Sequence, residues 1–296
     1  MKSMKRIISS VLIWGVCLTP LTVPLMVQPT WAQSPSTQSQ ELQRLTDLAR
    51  QQGEQGKPKQ AIETWQQVLA ISRPLKFRWF ESSALNGIGF NYNRMGQSQE
   101  ALKYLNQALP IMRELLGNDQ GVAATLNNMG EAYRSLSMPQ EALKYLNQSL
   151  QIVRKVGDRA GESTTLNNIA LVYNNMEQPQ EALKYFNQSL PMAREVGDRS
   201  GEATTLNNIG EVYRSISQPQ EALKYYNQAL PILREVGDRS MEGTTLNNIG
   251  VVYYSISQPQ EALKYYNQAL AIAREIGDRT LEATILENIK AINNSK

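Results

Sequence analysis

The sequence predicts an all-α solenoid in which antiparallel helix pairs stack side by side with a forty-residue period, and three observations predict it. The string EALKY begins at Glu141, Glu181, Glu221 and Glu261, with a further copy at Glu100, where one inserted residue stretches the interval to forty-one. Periods of this size mark stacked supersecondary units. In the cleanest copy, residues 201–240, the positions Leu206, Ile209, Gly210, Tyr213 and Ile216 have the spacing of a helix with one buried stripe. A second amphipathic run over 221–236 follows Gln218-Pro219-Gln220, so each unit is two helices joined by a tight connection.

Local signals fix the ends of these helices. Pro219 suits the first turn of the second helix, where a missing N–H costs nothing. Gly237 fits a left-handed C-terminal cap and Asp238 an N-cap for the next helix; the pairs Asp158-Arg159, Asp198-Arg199, Asp238-Arg239 and Asp278-Arg279 repeat that linker.

The motif Leu206-x2-Ile209-Gly210-x2-Tyr213…Ala222-x3-Tyr226 resembles the tetratricopeptide repeat, with leucine in place of the leading tryptophan. Gly210 and Ala222 let the paired helices approach closely, and Tyr213 and Tyr226 fill the space around that contact. The family's usual period is about 34, so each unit here is about six residues longer, and the late helix-ending proline is missing. Long units with LNN in the first helix are more similar to the kinesin-light-chain branch. The resemblance covers residues 41–293 and implies a right-handed superhelix whose first helices line the concave surface.

The two ends depart from the pattern. In residues 1–32, Lys2, Lys5 and Arg6 precede an apolar stretch over 7–27 and a small-residue cleavage site ending at Ala32, the layout of a secretory signal peptide. The rival reading is an uncleaved membrane anchor, since that stretch is just long enough to span, although Pro20 and Pro24 interrupt it. Removing it takes three of the 30 basic residues and leaves 27 against 27 acidic, a neutral chain. Cys17, the one cysteine, leaves with it, so no disulfide is expected. Residues 33–40 read as a disordered leader. The solenoid then occupies 41–296. A degenerate N-terminal repeat covers 41–80, with Gln52 where tyrosine is expected; five regular repeats cover 81–279; a C-terminal capping helix covers 280–293, with Lys290 and Asn293 at positions that face a second helix elsewhere.

Composition excludes much chemistry. The chain has no histidine, which removes the usual general base, the His-dependent triads and the commonest zinc ligand. No phosphate loop, HExxH or EF-hand sequence is present, and no basic cluster with interleaved aromatics points to nucleic acid. Neither an enzyme nor a cofactor is expected.

Polar residues on the first helices carry the functional reading. Asn127, Asn167, Asn207 and Asn247 form one ladder, with Asn128, Asn168, Asn208 and Asn248 at its flank. Asparagine costs roughly 0.6 kcal/mol against alanine inside a helix, so paired asparagines need a reason. Their carboxamides either clasp the backbone of an extended peptide or bond to neighbouring helices and hold the repeat spacing. The first of each pair is assigned to the groove and the second to packing. Between units the lining alternates: Glu131 with Arg134, Leu171 with Asn174, Glu211 with Arg214, Val251 with Tyr254. Helices about 10 Å apart across five units give a path of about 40 to 50 Å, room for about 12 to 15 extended residues.

The expectation is therefore an exported, non-catalytic scaffold, periplasmic or extracellular, that binds a protein or extended peptide in this groove. It has no nucleic-acid partner, no membrane span after signal cleavage, and a monomer as the expected state. The alternatives are a self-assembling structural protein of the cell envelope and a regulatory subunit of an enzyme on another chain.

Overall fold

Each forty-residue unit folds at its own signals. In this computed structural model, which describes residues 35–115 and 117–294, thirteen α-helices follow one another and no strand occurs among the described residues. They pair as α1 (Pro35–Glu54) with α2 (Pro58–Ser72), α3 (Arg78–Arg94) with α4 (Ser98–Glu114), and α5 (Asp119–Ser135) with α6 (Pro139–Val156). Next come α7 (Arg159–Asn175) with α8 (Pro179–Glu195), α9 (Arg199–Ser215) with α10 (Pro219–Val236), and α11 (Arg239–Ser255) with α12 (Pro259–Ile276); α13 (Arg279–Asn294) closes the series. Pro139, Pro179, Pro219 and Pro259 each open a second helix. The carboxylates of Asp158, Asp198, Asp238 and Asp278 accept from the backbone N–H three residues on, at 2.8 to 3.0 Å. Gly237 caps α10 at φ 72°, in the left-handed region open to glycine.

The turn inside each pair is less comfortable. Ser137, Glu177, Ser217 and Ser257 sit at φ between 55° and 62°, where the first two units have Gly56 and Gly96. A side chain there costs about 1–2 kcal/mol.

Within a pair the helices pack through the glycine that the repeat pattern places on the first helix. A Cβ on Gly210 would lie 2.7 Å from the Tyr226 ring, and one on Gly250 2.6 Å from Tyr266. Tyr226 and Tyr266 are fully enclosed. The aromatic positions near the mouth of each pair stack face to face: Tyr92 on Tyr104, Tyr133 on Tyr145, Tyr173 on Tyr185, Tyr213 on Tyr225 and Tyr253 on Tyr265, at 5.2 to 5.6 Å.

Successive units are fastened by a buried acid. Glu162, Glu202 and Glu242 are almost wholly enclosed, and each lies between an arginine from the end of the preceding second helix and one at the start of its own helix. Arg154 donates to Glu162 at 2.8 Å and Arg159 at 3.1 Å; Arg194 and Arg199 hold Glu202, and Arg234 and Arg239 hold Glu242. Glu81 has the same arrangement with Arg73 and Arg78. At the α4–α5 junction Val122 replaces the acid and Asn118 stands at the N-cap without a capping bond, which coincides with the one-residue insertion.

First helices touch the next first helix along the series, α1 to α3 through to α11 to α13, whereas second helices make their principal contacts with first helices. The odd-numbered helices therefore line the inner, tighter side and the even-numbered ones fan outward. No helix among the described residues is long and apolar enough to cross a membrane.

The expected signal segment lies outside the described residues. The expected leader is corrected in part: α1 starts at Pro35 and takes in all but the first two residues of 33–40. A proline tolerated at the first helical turn, and Gln38 being buried, account for the earlier start.

Replacing Glu177 with glycine is expected to raise stability by about 1 kcal/mol in urea unfolding, since Gly56 and Gly96 occupy the same turn position; a loss would mean that the side chain holds the turn. Gly210→Ala is expected to cost about 1–3 kcal/mol, with broadened near-ultraviolet signals from the displaced Tyr226 ring.

Candidate functional site on the inner face

The asparagines occupy the inner helices as their spacing requires, but their oxygens are committed. Asn127 Oδ1 accepts from Asn168 Nδ2 at 3.2 Å, Asn167 Oδ1 from Asn208 Nδ2 at 3.3 Å, and Asn247 Oδ1 from Asn288 Nδ2 at 3.0 Å. Asn207 Oδ1 accepts from Thr245 Oγ1 at 2.9 Å. Upstream, Asn128 Nδ2 donates to Asn86 Oδ1 at 3.1 Å. The first asparagine of one unit thus receives a bond from the next unit. Asn207 and Asn247 are buried, while Asn127 and Asn167 are half-buried. An amide oxygen has two lone pairs: a bond across the junction takes one of them at Asn127, Asn207 and Asn247, whereas Asn167 Oδ1 accepts from both Thr205 and Asn208. The first asparagine of each pair thus holds repeat spacing, as the second one does, in addition to its place on the inner face.

The variable positions behave differently. Glu211 and Arg214 form a two-pronged ion pair, and Tyr226 Oη donates to Glu211 at 3.1 Å. Burial opposes charge on Glu211, yet the Arg214 guanidinium and the tyrosine hydroxyl prevail and hold its carboxyl below the usual range. The corresponding Glu131 has Leu146 opposite it in place of Tyr226. There, burial raises the carboxyl above its ordinary value despite the opposing charges of Arg134 and Arg94, and Arg134 Nε is buried without a hydrogen-bond partner. Leu171, Asn174 and Val251 are half-buried on the intervening units, and Tyr254 is 39% exposed. The alternation of charged and apolar or aromatic units thus exists on the surface. Its two charged members are not equivalent.

A larger feature escaped the sequence reading. A cleft of about 560 Å³ opens at the N-terminal end of the inner face, between α1, α3 and α5, with Trp65, Trp79, Phe90, Asn91, Arg50 and Arg94 among its lining residues. Two hollows further along, beside Asn127 and Asn167, measure about 210 and 130 Å³. In the sequence this region reads as a degenerate repeat over 41–80 followed by regular ones, and neither reading points to a hollow. The available signal was Asn91, a polar residue at the position where later units carry Ala132, Val172, Val212 and Val252. Among the described residues no group of three or more His, Cys, Asp or Glu side chains is placed to hold a metal ion.

A model of the tetratricopeptide repeat matches residues 80–155, 161–235 and 237–293. No curated protein matches the chain. Among solved structures, BtubC from P. vanneervenii is 18% identical, with a TM-score of 0.59 over 80% of this chain and 92% of that one. The nearly identical tetratricopeptide-like repeats of a putative kinesin light chain from Podospora anserina are 21% identical, with a TM-score of 0.52 over 66% of this chain and 95% of theirs. The quorum sensor NprR of B. thuringiensis, in its apo form, is 18% identical, with a TM-score of 0.64 over 83% of this chain and 68% of its own. Identities this low carry the fold and not the activity.

The two glutamates are expected to respond oppositely to substitution. Glu211, with its carboxyl depressed in the folded state, contributes stability that is present at neutral pH and lost as pH falls through the depressed value. Glu131, with its carboxyl raised, is a burden at neutral pH that is relieved as pH falls through the raised value. Glu131→Gln should therefore stabilise and Glu211→Gln destabilise at neutral pH, with both differences shrinking in acid. Unfolding curves across pH that moved in the same direction for both would contradict these environments.

Proposed function

This chain belongs to the tetratricopeptide repeat family, and on that footing we propose that it is an exported, non-catalytic scaffold that holds a protein or extended peptide against its inner face. Support for export is confined to the sequence: basic Lys2, Lys5 and Arg6, the apolar stretch over 7–27, and Ala32 at a cleavage site. Support for a non-catalytic role is compositional, since the chain lacks histidine and the residue groupings that nucleophilic or metal chemistry uses.

The observation that carries partner binding is the contrast between constant and variable positions. From α5 to α12 the units share their packing glycines or alanine, tyrosine stacks and asparagine bonds almost residue for residue, yet differ at Glu131/Arg134, Leu171/Asn174, Glu211/Arg214 and Val251/Tyr254 on the inner face. Positions that vary while the scaffold stays constant are less constrained by packing than the rest, and they are the ones that can discriminate a guest. The asparagines recur unchanged from unit to unit, so discrimination between guests falls to these side chains. Leu171 and Val251 supply apolar contact, Tyr254 an aromatic one, and the Glu211–Arg214 pair a polar one.

Leu171→Ser combined with Tyr254→Ser is expected to leave helical circular dichroism nearly unchanged and to lower the unfolding midpoint only modestly, because Tyr254 is exposed and Leu171, although it packs against the core, is only half-buried. Partner capture from the export compartment should fall at least about tenfold, the loss expected when two anchor contacts go. Undiminished capture by the folded double variant would refute the inner-face reading.

A further inference from the structure

The buried side-chain polar atoms that lack a hydrogen-bond partner among the described residues are Thr46 Oγ1, Asn91 Oδ1, Asn93 Oδ1, Ser98 Oγ and Arg134 Nε. All five lie between residues 46 and 134; the units from α7 onward contribute none. Each such atom costs about 1–3 kcal/mol, and rules of folding are broken most readily where a site is built.

Asn91 is the most informative of them. It is 2% exposed, and the matching residues Ala132, Val172, Val212 and Val252 show that this place in the fold accepts an apolar side chain. Its Nδ2 donates to the Gly87 carbonyl at 2.8 Å, while its Oδ1 has no donor. Asn91 lines the 560 Å³ cleft, a volume within the range of about 300–1,000 Å³ usual for small-molecule sites. Three aromatic residues share that lining: Trp65, which is almost wholly enclosed, and Trp79 and Phe90, which are 41% and 38% exposed. The charged lining residues are Arg50, Arg94 and Glu54. Arg94 donates to the Gly53 carbonyl and stands 5.9 Å from the centre of the Phe90 ring. Arg50 is exposed and has no ion-pair partner among the described residues. The cleft thus combines aromatic walls, an unanswered acceptor and a cationic surplus.

We propose that this cleft binds a compact aromatic acid that also carries an N–H or O–H donor, such as an indole or phenol ring bearing a carboxylate. The ring stacks among Trp65, Trp79 and Phe90, the carboxylate meets Arg50, and the donor answers Asn91 Oδ1, which is closed to solvent at rest and is reached when the side chain turns toward the cleft. The site is separate from the partner surface proposed above, which meets it only at α5, where Glu131 and Arg134 lie beyond the cleft's lining.

Calorimetric titration of the full chain with three probes tests each part. Indoleacetate has ring, donor and acid; naphthaleneacetate lacks the donor; tryptamine reverses the charge. Indoleacetate is expected to bind at least about tenfold more tightly than either analogue. Asn91→Val should raise the thermal midpoint while weakening indoleacetate at least about fivefold and leaving naphthaleneacetate unaffected. Ala124→Phe, on the exposed rim of the cleft, should abolish binding, and Thr244→Phe, the matching change on α11, should not. The proposal is overturned if none of the probes binds, if Asn91→Val stabilises the fold with indoleacetate affinity unchanged, or if a capped peptide with adjacent Trp and Glu binds more tightly than the free acid.

Discussion

The fold depends on the close approach of two helices across a position that holds glycine or alanine. Gly89, Gly130, Gly210 and Gly250 each face a large side chain so nearly that a Cβ would sit 2.4 to 2.7 Å from it. Leu105, Leu146, Tyr226 and Tyr266 fill that space in turn. Ala170 and Phe186 occupy the matching places in the unit between and share one core cluster. The approach lets the paired tyrosines at the mouth of each unit stack. It also fixes how far the first helices stand from one another, and with that the width of the inner face.

Stacking the units demands a second kind of contact, and here it is polar. In a solenoid each unit touches only its neighbours, so stability is a sum over junctions. Buried Glu162, Glu202 and Glu242 are each held by two arginines at the outer end of a junction, and asparagine bonds tie the inner edge. The arginines remain half open to solvent, so part of each pair's attraction is screened. The geometric effect is less easily lost, because an enclosed carboxylate left without partners would be costly. The α4–α5 junction lacks the acid and carries the inserted residue, and the large cleft opens at that same place.

The inner face consequently has two characters. Along α7 to α13 no buried side-chain polar atom among the described residues lacks a partner, and the inner surface varies at few positions. From α1 to α5 the packing is less complete, aromatic rings are exposed, and buried polar atoms stand without partners. The similar repeats thus close their polar atoms by one shared set of bonds, whereas the divergent ones at the N-terminal end leave some unanswered.

Local chemistry was legible in the residues themselves. The period, the helix boundaries at Pro219, Gly237 and Asp238, the small residue opposite Tyr226 and the family all follow from one unit's sequence, because each depends on contacts within about forty residues. The asparagine ladder was legible as a regularity but not as a role: whether Asn167 faces a guest or its neighbour depends on where Asn208 lies, forty-one residues away, and only the stacked units bring the two to 3.3 Å. The cleft depended still more on tertiary arrangement, since Trp65, Asn91 and Arg50 come from three helices and form one hollow only after those helices pack. Sequence alone determined the repeating hairpin, because its forces are local and periodic. Tertiary structure decided which polar atoms are already engaged and which are left open, because that depends on how neighbouring units meet.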